Sequence, residues 1–213
     1  MKYHTYIFDL DGTLLDTLGD LAASTNHALA LHHMPQHSIA SIRMFVGNGV
    51  AKLIERAVPG GLSNPDYEAV LADFRSHYLL HSLDTTRPYD GIIDMLSQLR
   101  RQGCRTAVVS NKFHKATTEL CRHFFADSIE VAIGENEAAG IRKKPAPDTV
   151  VEALRQLGTD REGAVYVGDS DVDILTARNA QLPCISVLWG FRDRQFLLDH
   201  GATTLIETPN QLL

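Results

Sequence analysis

Residues 3–17 read YHTYIFDLDGTLLDT, and this stretch joins the first element of the fold to its first polar cluster. Apolar residues run almost without interruption from residue 3 to residue 8, which is the pattern of a buried strand. Asp9 and Asp11 follow directly, and Gly12 and Thr13 come next. Taken alone, two carboxylates at the end of a buried strand indicate a metal site or an acid/base site.

Short apolar runs of the same kind recur along the chain and alternate with helix-like segments. After the first strand, we predict strands at residues 106–110, 131–134, 164–167, 184–188 and 204–206. We predict helices at residues 91–102, 112–124, 147–158, 171–180 and 193–200. This alternation predicts an α/β fold with a Rossmann-like three-layer core, in which a parallel sheet lies between two layers of helices.

The interval between residues 16 and 87 breaks the alternation. Its apolar residues recur at spacings of three and four, as in Val50, Leu53, Ile54 and Ala57. Such spacing is typical of amphipathic helices that pack on one another. We therefore predict a catalytic core made of residues 1–15 and 88–213, and an inserted all-helical cap domain made of residues 16–87.

The composition limits the classes of partner and the compartment. The 213 residues are 44% hydrophobic and 22% charged, with a formal net charge of −6. Negative charge disfavours nucleic acids and anionic membranes as partners, although a small anionic substrate needs only a local positive cluster. Three separated cysteines, a poor signal peptide and no apolar run near about 18 residues favour a cytoplasmic protein. A monomer and a homodimer are both open.

Polar side chains follow four of the predicted strands. In parallel α/β sheets, ligands bind outside the carboxyl ends of the strands, so we expect these side chains to share one site. Asp9 and Asp169 offer the hard oxygen ligands that Mg²⁺ prefers, and adjacent carboxylates need a cation or a raised pKa to offset their repulsion. Ser110 and one lysine of the pair Lys143 and Lys144 are suited to binding phosphoryl oxygens. The set predicts a phosphoryl-transfer site.

Four motifs carry a family resemblance: DLDGTLLDT, VSNK, KKPAPD and YVGDSDVD. Their order and spacing, with a helical insertion after the first, resemble the haloacid dehalogenase-like superfamily. The stretches FVGNGVAKLIERA and SVLWGFRDRQFLLDHGA resemble its phosphoglycolate phosphatase-like group. The resemblance covers essentially the whole chain. It implies a Mg²⁺-dependent phosphatase that hydrolyses a small phosphorylated metabolite, such as phosphoglycolate, through an aspartyl-phosphate intermediate.

The resemblance also implies a role for each catalytic position. Asp9 is the expected nucleophile, which forms the aspartyl-phosphate. Asp11 is expected to protonate the departing alkoxide and then to activate the water that cleaves the intermediate. Ser110 is expected to hold the phosphoryl group. Lys144, which directly precedes Pro145 as in the family's KP pattern, is expected to neutralise charge on Asp9 and the phosphate.

Metal ligands and substrate contacts follow from the same resemblance. We expect Mg²⁺ to be bound by Asp9, Asp169 and the backbone carbonyl of Asp11, and Asp173 to orient these ligands from behind. The expected substrate contacts are Gly12, Thr13, Ser110, Asn111 and Lys144 in the core, and Gly47, Asn48 and Gly49 in the cap.

Other functions stay open at the level of sequence. A pyrophosphatase or a β-phosphoglucomutase-like phosphomutase of the same superfamily would use the same motifs. A phospho-accepting signalling receiver also has a strand-end aspartate, but it needs neither Asp11 nor the helical insertion. A catalytically inert binding module is disfavoured because every charged group of the motifs is retained.

Overall fold

Across residues 3–136 and 140–213, which the computed structural model describes, six strands form one parallel sheet. The strands in chain order are β1 (Thr5–Phe8), β2 (Leu15–Asp16), β3 (Arg87–Pro88), β4 (Arg105–Phe113), β5 (Val131–Glu135), β6 (Ala164–Gly168), β7 (Cys184–Val187) and β8 (Leu205–Ile206). The order in the large sheet is β5-β4-β1-β6-β7-β8. β1 therefore lies inside the sheet, hydrogen-bonded to β4 on one side and to β6 on the other.

Helices pack on both faces of this sheet, which confirms the predicted three-layer α/β fold. The helices in chain order are α1 (Leu18–Leu31), α2 (Ile39–Phe45), α3 (Val50–Ala57), α4 (Tyr67–His81), α5 (Ile92–Arg101), α6 (His114–Phe125), α7 (Asp148–Leu157), α8 (Asp171–Asn179) and α9 (Arg194–Asp199). Alternate residues of a strand face opposite sides of a sheet. Tyr6 and Phe8 accordingly pack in one apolar cluster with α5 and α6, and Ile7 packs in another with α7 and α8.

The predicted end of the strand at residues 106–110 and the predicted start of the next helix are both wrong, and both lie at the motif VSNK. The helix predicted at residues 112–124 begins only at His114, because β4 continues through Phe113, which pairs with Glu135. The register between β4 and β5 shifts between Val109 and Phe113, so the strand is irregular there. Pairing with a neighbouring strand overrides the local helix signal, and it places Lys112 inside β4.

The chain divides into two compact units. One consists of Met1–Asp16 and Pro88–Leu213 and contains the six-stranded sheet, and the other, Thr17–Arg87, contains α1 to α4. The short strands β2 and β3 pair with each other where the chain passes between the units. The first boundary falls one residue after the predicted one, and the catalytic and cap roles of the units stay predictions. Within the described ranges, no helix is both long enough and apolar enough to cross a bilayer.

A buried carboxylate holds together the two ends of the helical unit. Asp20, in the first turn of α1, is only 2% exposed. Its Oδ1 accepts hydrogen bonds from the backbone N–H and hydroxyl of Thr85, at 2.9 and 2.6 Å. Its Oδ2 accepts the corresponding pair from Thr86, at 2.9 and 2.7 Å. Both carboxylate oxygens are thereby satisfied, which offsets the cost of burying the charge.

Replacing this carboxylate should therefore destabilise the protein. We expect Asp20→Ala to lower the free energy of unfolding by roughly 2–4 kcal/mol, because it leaves the donors of Thr85 and Thr86 without their acceptor. Urea denaturation measures the loss. The exposed Asp66, at the start of α4, gives a matched control, and Asp66→Ala should change stability by no more than about 0.5 kcal/mol. Equal stability of the two variants would contradict this account of Asp20.

Candidate active site

Asp9 lies immediately after β1, at the carboxyl end of the sheet. Its backbone N–H donates to the carbonyl oxygen of Val167 in β6 at 2.9 Å, which continues the strand pairing up to this residue. The Asp9 side chain is buried, and its Oδ1 is 2.7 Å from Nζ of Lys144. The chain passes from β1 to β4 and β5 on one side and then returns to β6 on the other side of β1. In this class of fold, ligands bind in the crevice at the carboxyl end of the sheet where the chain changes sides.

Lys144 is held at both its ammonium group and its backbone. The ammonium lies 2.7 Å from Asp9 Oδ1, 2.8 Å from Asp173 Oδ1 and 3.1 Å from the hydroxyl of Tyr166. Three acceptors match its three N–H donors. The Lys144 backbone N–H donates to Asn111 Oδ1 at 2.8 Å, and Asn111 Nδ2 donates to the Lys144 carbonyl at 3.0 Å. The position of the positive charge is therefore fixed by β1, β4, β6 and α8 together.

Asp173 is fully buried, and both of its carboxylate oxygens accept hydrogen bonds in this network. Its Oδ2 accepts hydrogen bonds from the Ser170 hydroxyl at 2.6 Å, the Ser170 backbone N–H at 3.1 Å and the Asp169 backbone N–H at 3.2 Å. Its Oδ1 accepts from the Tyr166 hydroxyl at 2.9 Å as well as from Lys144. The Ser170 hydroxyl in turn accepts from the Asp173 backbone, so the pair forms a capping box at the start of α8.

Asp169 occupies a tight space beside the first motif. Its Oδ2 accepts the backbone N–H of Phe191 at 2.6 Å, and its Oδ1 accepts the hydroxyl of Thr13 at 3.4 Å. A Cβ atom at Gly12, which has φ of +85°, would lie 2.3 Å from Asp169 Oδ2. A Cβ atom at Gly190 would lie 2.4 Å from the Asp169 Cβ. Glycine is thus needed at both positions for the backbone to approach this carboxylate.

The crowding of buried carboxylates shifts their proton affinities. Burial raises the pKa of Asp9 well above its usual range, and Asp173 and Asp169 add to the effect, whereas Lys144 opposes it. Burial and the charge of Asp173 raise the pKa of Asp169 to about 7. Burial disfavours the charged form of Lys144, yet Asp173 and Asp9 outweigh it and raise the lysine pKa. The cluster thus favours positive charge and disfavours further negative charge.

This donor set suits a divalent cation. Of the residues that the structure describes, Asp9, Asp169 and Asp173 form one group whose ligand oxygens lie within 4.8 Å of one another. Carboxylate oxygens are hard ligands of the kind Mg²⁺ prefers. Each oxygen of Asp173 accepts at least two hydrogen bonds, whereas each oxygen of Asp169 accepts one. Asp9 and Asp169 are therefore the better ligands, and Asp173 is placed to orient them. Metal binding by Asp9 and Asp169 and the orienting role of Asp173 stay predictions.

The remaining strand-end residues lie beside this cluster. Asp11 Oδ2 is 3.0 Å from Nζ of Lys112. Ser110 is buried in β4, and its hydroxyl accepts the backbone N–H of Lys112 at 3.2 Å. Thr13 is fully buried, and its carbonyl oxygen accepts the indole N–H of Trp189 at 2.9 Å. Substrate contacts by Gly12, Thr13, Ser110, Asn111 and Lys144 stay predictions.

The three predicted cap residues, Gly47, Asn48 and Gly49, lie between α2 and α3 in the helical unit. Gly47 and Gly49 have φ of +125° and +88°, which favours glycine at both positions. Arg56 fixes this loop, because its guanidinium donates to Asn48 Oδ1 at 2.9 Å and to the Phe45 carbonyl oxygen at 2.6 Å. Contact between these residues and substrate stays a prediction.

The sequence gives no role to four residues near the site. It predicts Tyr166 only as part of an apolar strand, although a hydroxyl three residues before Asp169 is a usable signal. Lys112 belongs to the motif VSNK at a strand end, but the sequence predicts it as the first residue of a helix. Gly190 and Phe191 lie after β7, and no local pattern connects them with Asp169, so only the fold brings them together.

Comparisons with known proteins identify the sequence family. The chain matches the family model described as Haloacid dehalogenase-like hydrolase over residues 6–187. It is 35% identical over 191 residues to a phosphoglycolate phosphatase of Mesorhizobium japonicum, with 88% of this chain and 84% of the relative covered. It is 29% identical over 215 residues to an N-acetylmuramic acid 6-phosphate phosphatase of Pseudomonas aeruginosa, with 100% of this chain and 94% of the relative covered.

The fold is also found among solved structures. A candidate phosphoglycolate phosphatase from Lactobacillus delbrueckii subsp. bulgaricus has a crystal structure that aligns with this chain at a TM-score of 0.93 and 37% identity. The alignment covers 100% of this chain and 97% of the other. Core and helical insertion therefore both have counterparts in one known protein.

The raised pKa of Asp169 predicts that protons compete with Mg²⁺. With this pKa at about 7, Asp169 is mostly protonated at pH 6 and mostly ionised at pH 8. We therefore expect Mg²⁺ to bind about tenfold more tightly at pH 8 than at pH 6. The single tryptophan, Trp189, contacts Thr13, so its fluorescence is suited to following the titration.

Two variants define the controls for this titration. Asp169→Asn should weaken Mg²⁺ binding at both pH values, whereas Asp127→Asn, at an exposed position after α6, should leave it unchanged. Equal Mg²⁺ affinity of the unmodified protein at pH 6 and pH 8, measured by calorimetry as well as fluorescence, would contradict the account of Asp169.

Proposed function

The chain belongs to the haloacid dehalogenase-like hydrolase family and is a phosphoric monoester hydrolase, and we propose that it acts on 2-phosphoglycolate or a close analogue with Mg²⁺ as cofactor. The observation that carries the proposal is the buried ion pair between Asp9 and Lys144, at the carboxyl end of β1, beside Asp169 and Asp173. The name of the Mesorhizobium japonicum relative supports the choice of substrate.

The proposed reaction proceeds in two displacements at phosphorus. A carboxylate oxygen of Asp9 attacks the phosphorus atom, and the bond from phosphorus to the substrate's ester oxygen breaks. Asp11 gives a proton to that oxygen, so an alcohol leaves. Asp11 then accepts a proton from water as the water oxygen attacks phosphorus, and the bond to Asp9 breaks. The products are the alcohol and inorganic phosphate, and both aspartates return to their initial states.

The other residues of the cluster stabilise charge and hold positions. Lys144 offsets the negative charge of Asp9 and of the phosphoryl oxygens, and its backbone is fixed by Asn111. Ser110 is proposed to donate its hydroxyl to a phosphoryl oxygen. Asp9 and Asp169 would hold Mg²⁺, whose positive charge would lower the repulsion between the nucleophile and the phosphate. Asp173 holds the ammonium group of Lys144 and the first turn of α8 in position at this site.

A second substrate follows from a specific comparison. The N-acetylmuramic acid 6-phosphate phosphatase of Pseudomonas aeruginosa aligns with all of this chain and 94% of its own length. We therefore keep a sugar 6-phosphate as the alternative substrate class. The helical unit, proposed to act as a cap, is the part expected to select between a small acid and a sugar.

We also propose a cellular location and a class of partner for the enzyme. A cytoplasmic location is supported by the three cysteines, none of which is disulfide-bonded: Cys104 and Cys121 are buried, and Cys184 is half-buried. Its partners are proposed to be small phosphorylated metabolites, with neither nucleic acid nor membrane involved, and it is proposed to act as a monomer or homodimer.

A substrate panel with variants tests the proposed function. The panel contains 2-phosphoglycolate, N-acetylmuramic acid 6-phosphate, pyrophosphate, hexose phosphates and nucleoside monophosphates, each with and without Mg²⁺. We expect Mg²⁺-dependent release of phosphate, with the highest kcat/KM for 2-phosphoglycolate. Asp9→Asn should abolish turnover, because the amide is not a nucleophile of comparable strength, and the exposed-site variant Asp127→Asn should retain it.

Three outcomes would count against particular parts of this proposal. Turnover near that of the unmodified enzyme in Asp9→Asn would refute Asp9 as the nucleophile. A higher kcat/KM for the sugar 6-phosphate would replace the primary substrate with the alternative. Full activity after removal of divalent cations with a chelator would refute the role of Mg²⁺.

A further inference from the structure

Lys112 is a second buried lysine near the proposed nucleophile, and the mechanism above gives it no role. Its side chain is 1% exposed, and its Nζ lies 3.0 Å from Asp11 Oδ2. A buried ammonium is costly unless it is paired, and Asp11 supplies a carboxylate partner for Lys112 inside β4. Asp11 is 14% exposed, so water screens the pair only in part.

Lys112 lies in an irregular part of β4. The pairing of β4 with β5 shifts between Val109 and Phe113, and irregularities of this kind redirect side chains. Two consecutive residues in the shifted segment contact the proposed site: Asn111 holds the backbone of Lys144, and Lys112 reaches Asp11. Ser110, which precedes them, is buried, and its hydroxyl accepts the backbone N–H of Lys112.

The two oxygens of Asp11 have different surroundings. Oδ2 is paired with Lys112, whereas Oδ1 is buried and, among the described residues, has no hydrogen-bond partner. A buried carboxylate oxygen without a partner is unusual, because leaving it unsatisfied costs free energy. One oxygen of Asp11 is therefore held by the protein, and the other is left for a group that the protein itself does not supply.

We propose that Lys112 is a positioning residue for Asp11: it holds Oδ2 so that Oδ1 is presented to the substrate's leaving oxygen and then to water. The proposal rests on the proposed function, in which Asp11 transfers the proton. The two lysines then act on different carboxylates. Lys144 pairs with the nucleophile Asp9, and Lys112 pairs with the proton-transfer group Asp11. In the motif VSNK, Ser110 is proposed to bind a phosphoryl oxygen, Asn111 fixes the backbone of Lys144, and Lys112 positions Asp11.

Leaving-group dependence separates this role from a general structural one. An alkyl phosphate such as 2-phosphoglycolate needs a proton on its departing oxygen, whereas p-nitrophenolate leaves readily without one. We expect Lys112→Met to lower kcat/KM for 2-phosphoglycolate by about ten- to a hundredfold, part of the 10²–10⁴-fold typical of acid/base catalysis. For p-nitrophenyl phosphate the loss should be no more than about threefold.

Further variants control for charge and folding. Lys115→Met removes a positive charge at an exposed position three residues away and should leave both substrates unaffected. Lys112→Arg keeps a donor and the charge, so it should restore part of the lost activity toward 2-phosphoglycolate. Thermal denaturation shows whether each variant folds. If Lys112→Met does not fold, the ratio of the two kcat/KM values in Lys112→Arg is the deciding measurement, and an unchanged ratio would overturn the proposal.

A double-mutant cycle shows whether Lys112 acts through Asp11. If it does, Lys112→Met should have little effect on kcat/KM for 2-phosphoglycolate once Asp11→Asn is present. An equal loss for both substrates, or a loss that persists in the Asp11→Asn background, would overturn the proposal and indicate direct contact with the phosphoryl group. No loss at all would also overturn it. If Asp11→Asn alone has normal activity, the proposed mechanism itself fails, which is a distinguishable result.

Discussion

The site depends on the contacts of the buried ammonium group of Lys144. This group forms ion pairs with the carboxylates of Asp9 and Asp173 and donates a hydrogen bond to the hydroxyl of Tyr166. Carboxylates that are buried this close together repel one another strongly, and burial itself disfavours their charges. Lys144 offsets part of this cost, and a divalent cation at Asp9 and Asp169 would offset more. Because the buried carboxylates outnumber the ammonium group of Lys144, the site favours binding of a cation, and a bound cation would favour binding of a phosphate.

The parallel sheet makes such crowding possible. β1 lies between β4 and β6, so the residues that follow these strands converge at one edge, while the fully buried strand residues hold them in register. Short-range chemistry then sets the details. Asn111 binds the Lys144 backbone, the capping box of Ser170 and Asp173 starts α8, and Gly12 leaves space for Asp169. The residues around the charges thus fix their positions before any ligand binds.

Much of this arrangement could be predicted from sequence, because parallel strands bring their carboxyl ends together whatever residues fill the core. The strands predicted at residues 3–8 and 164–167 are each followed by polar residues, and these indicate Asp9 and Asp169. Residues whose position depends on partners elsewhere in the chain could not be found so easily. The helix predicted at residues 112–124 includes Lys112, because strand pairing with β5 is not visible in the local sequence. Phe191 reaches Asp169 only through the fold.

In the proposed mechanism, Asp9 attacks phosphorus and carries the phosphoryl group. The most direct measurement is an acid quench during steady-state turnover of p-nitrophenyl phosphate with Mg²⁺, followed by borohydride reduction and peptide mass spectrometry. An aspartyl-phosphate is reduced to homoserine, so the modified position is recorded in the peptide mass. The account predicts homoserine at position 9 in the enzyme quenched during turnover, and none without substrate. Modification at Asp11 or Asp169, with Asp9 intact, would contradict it.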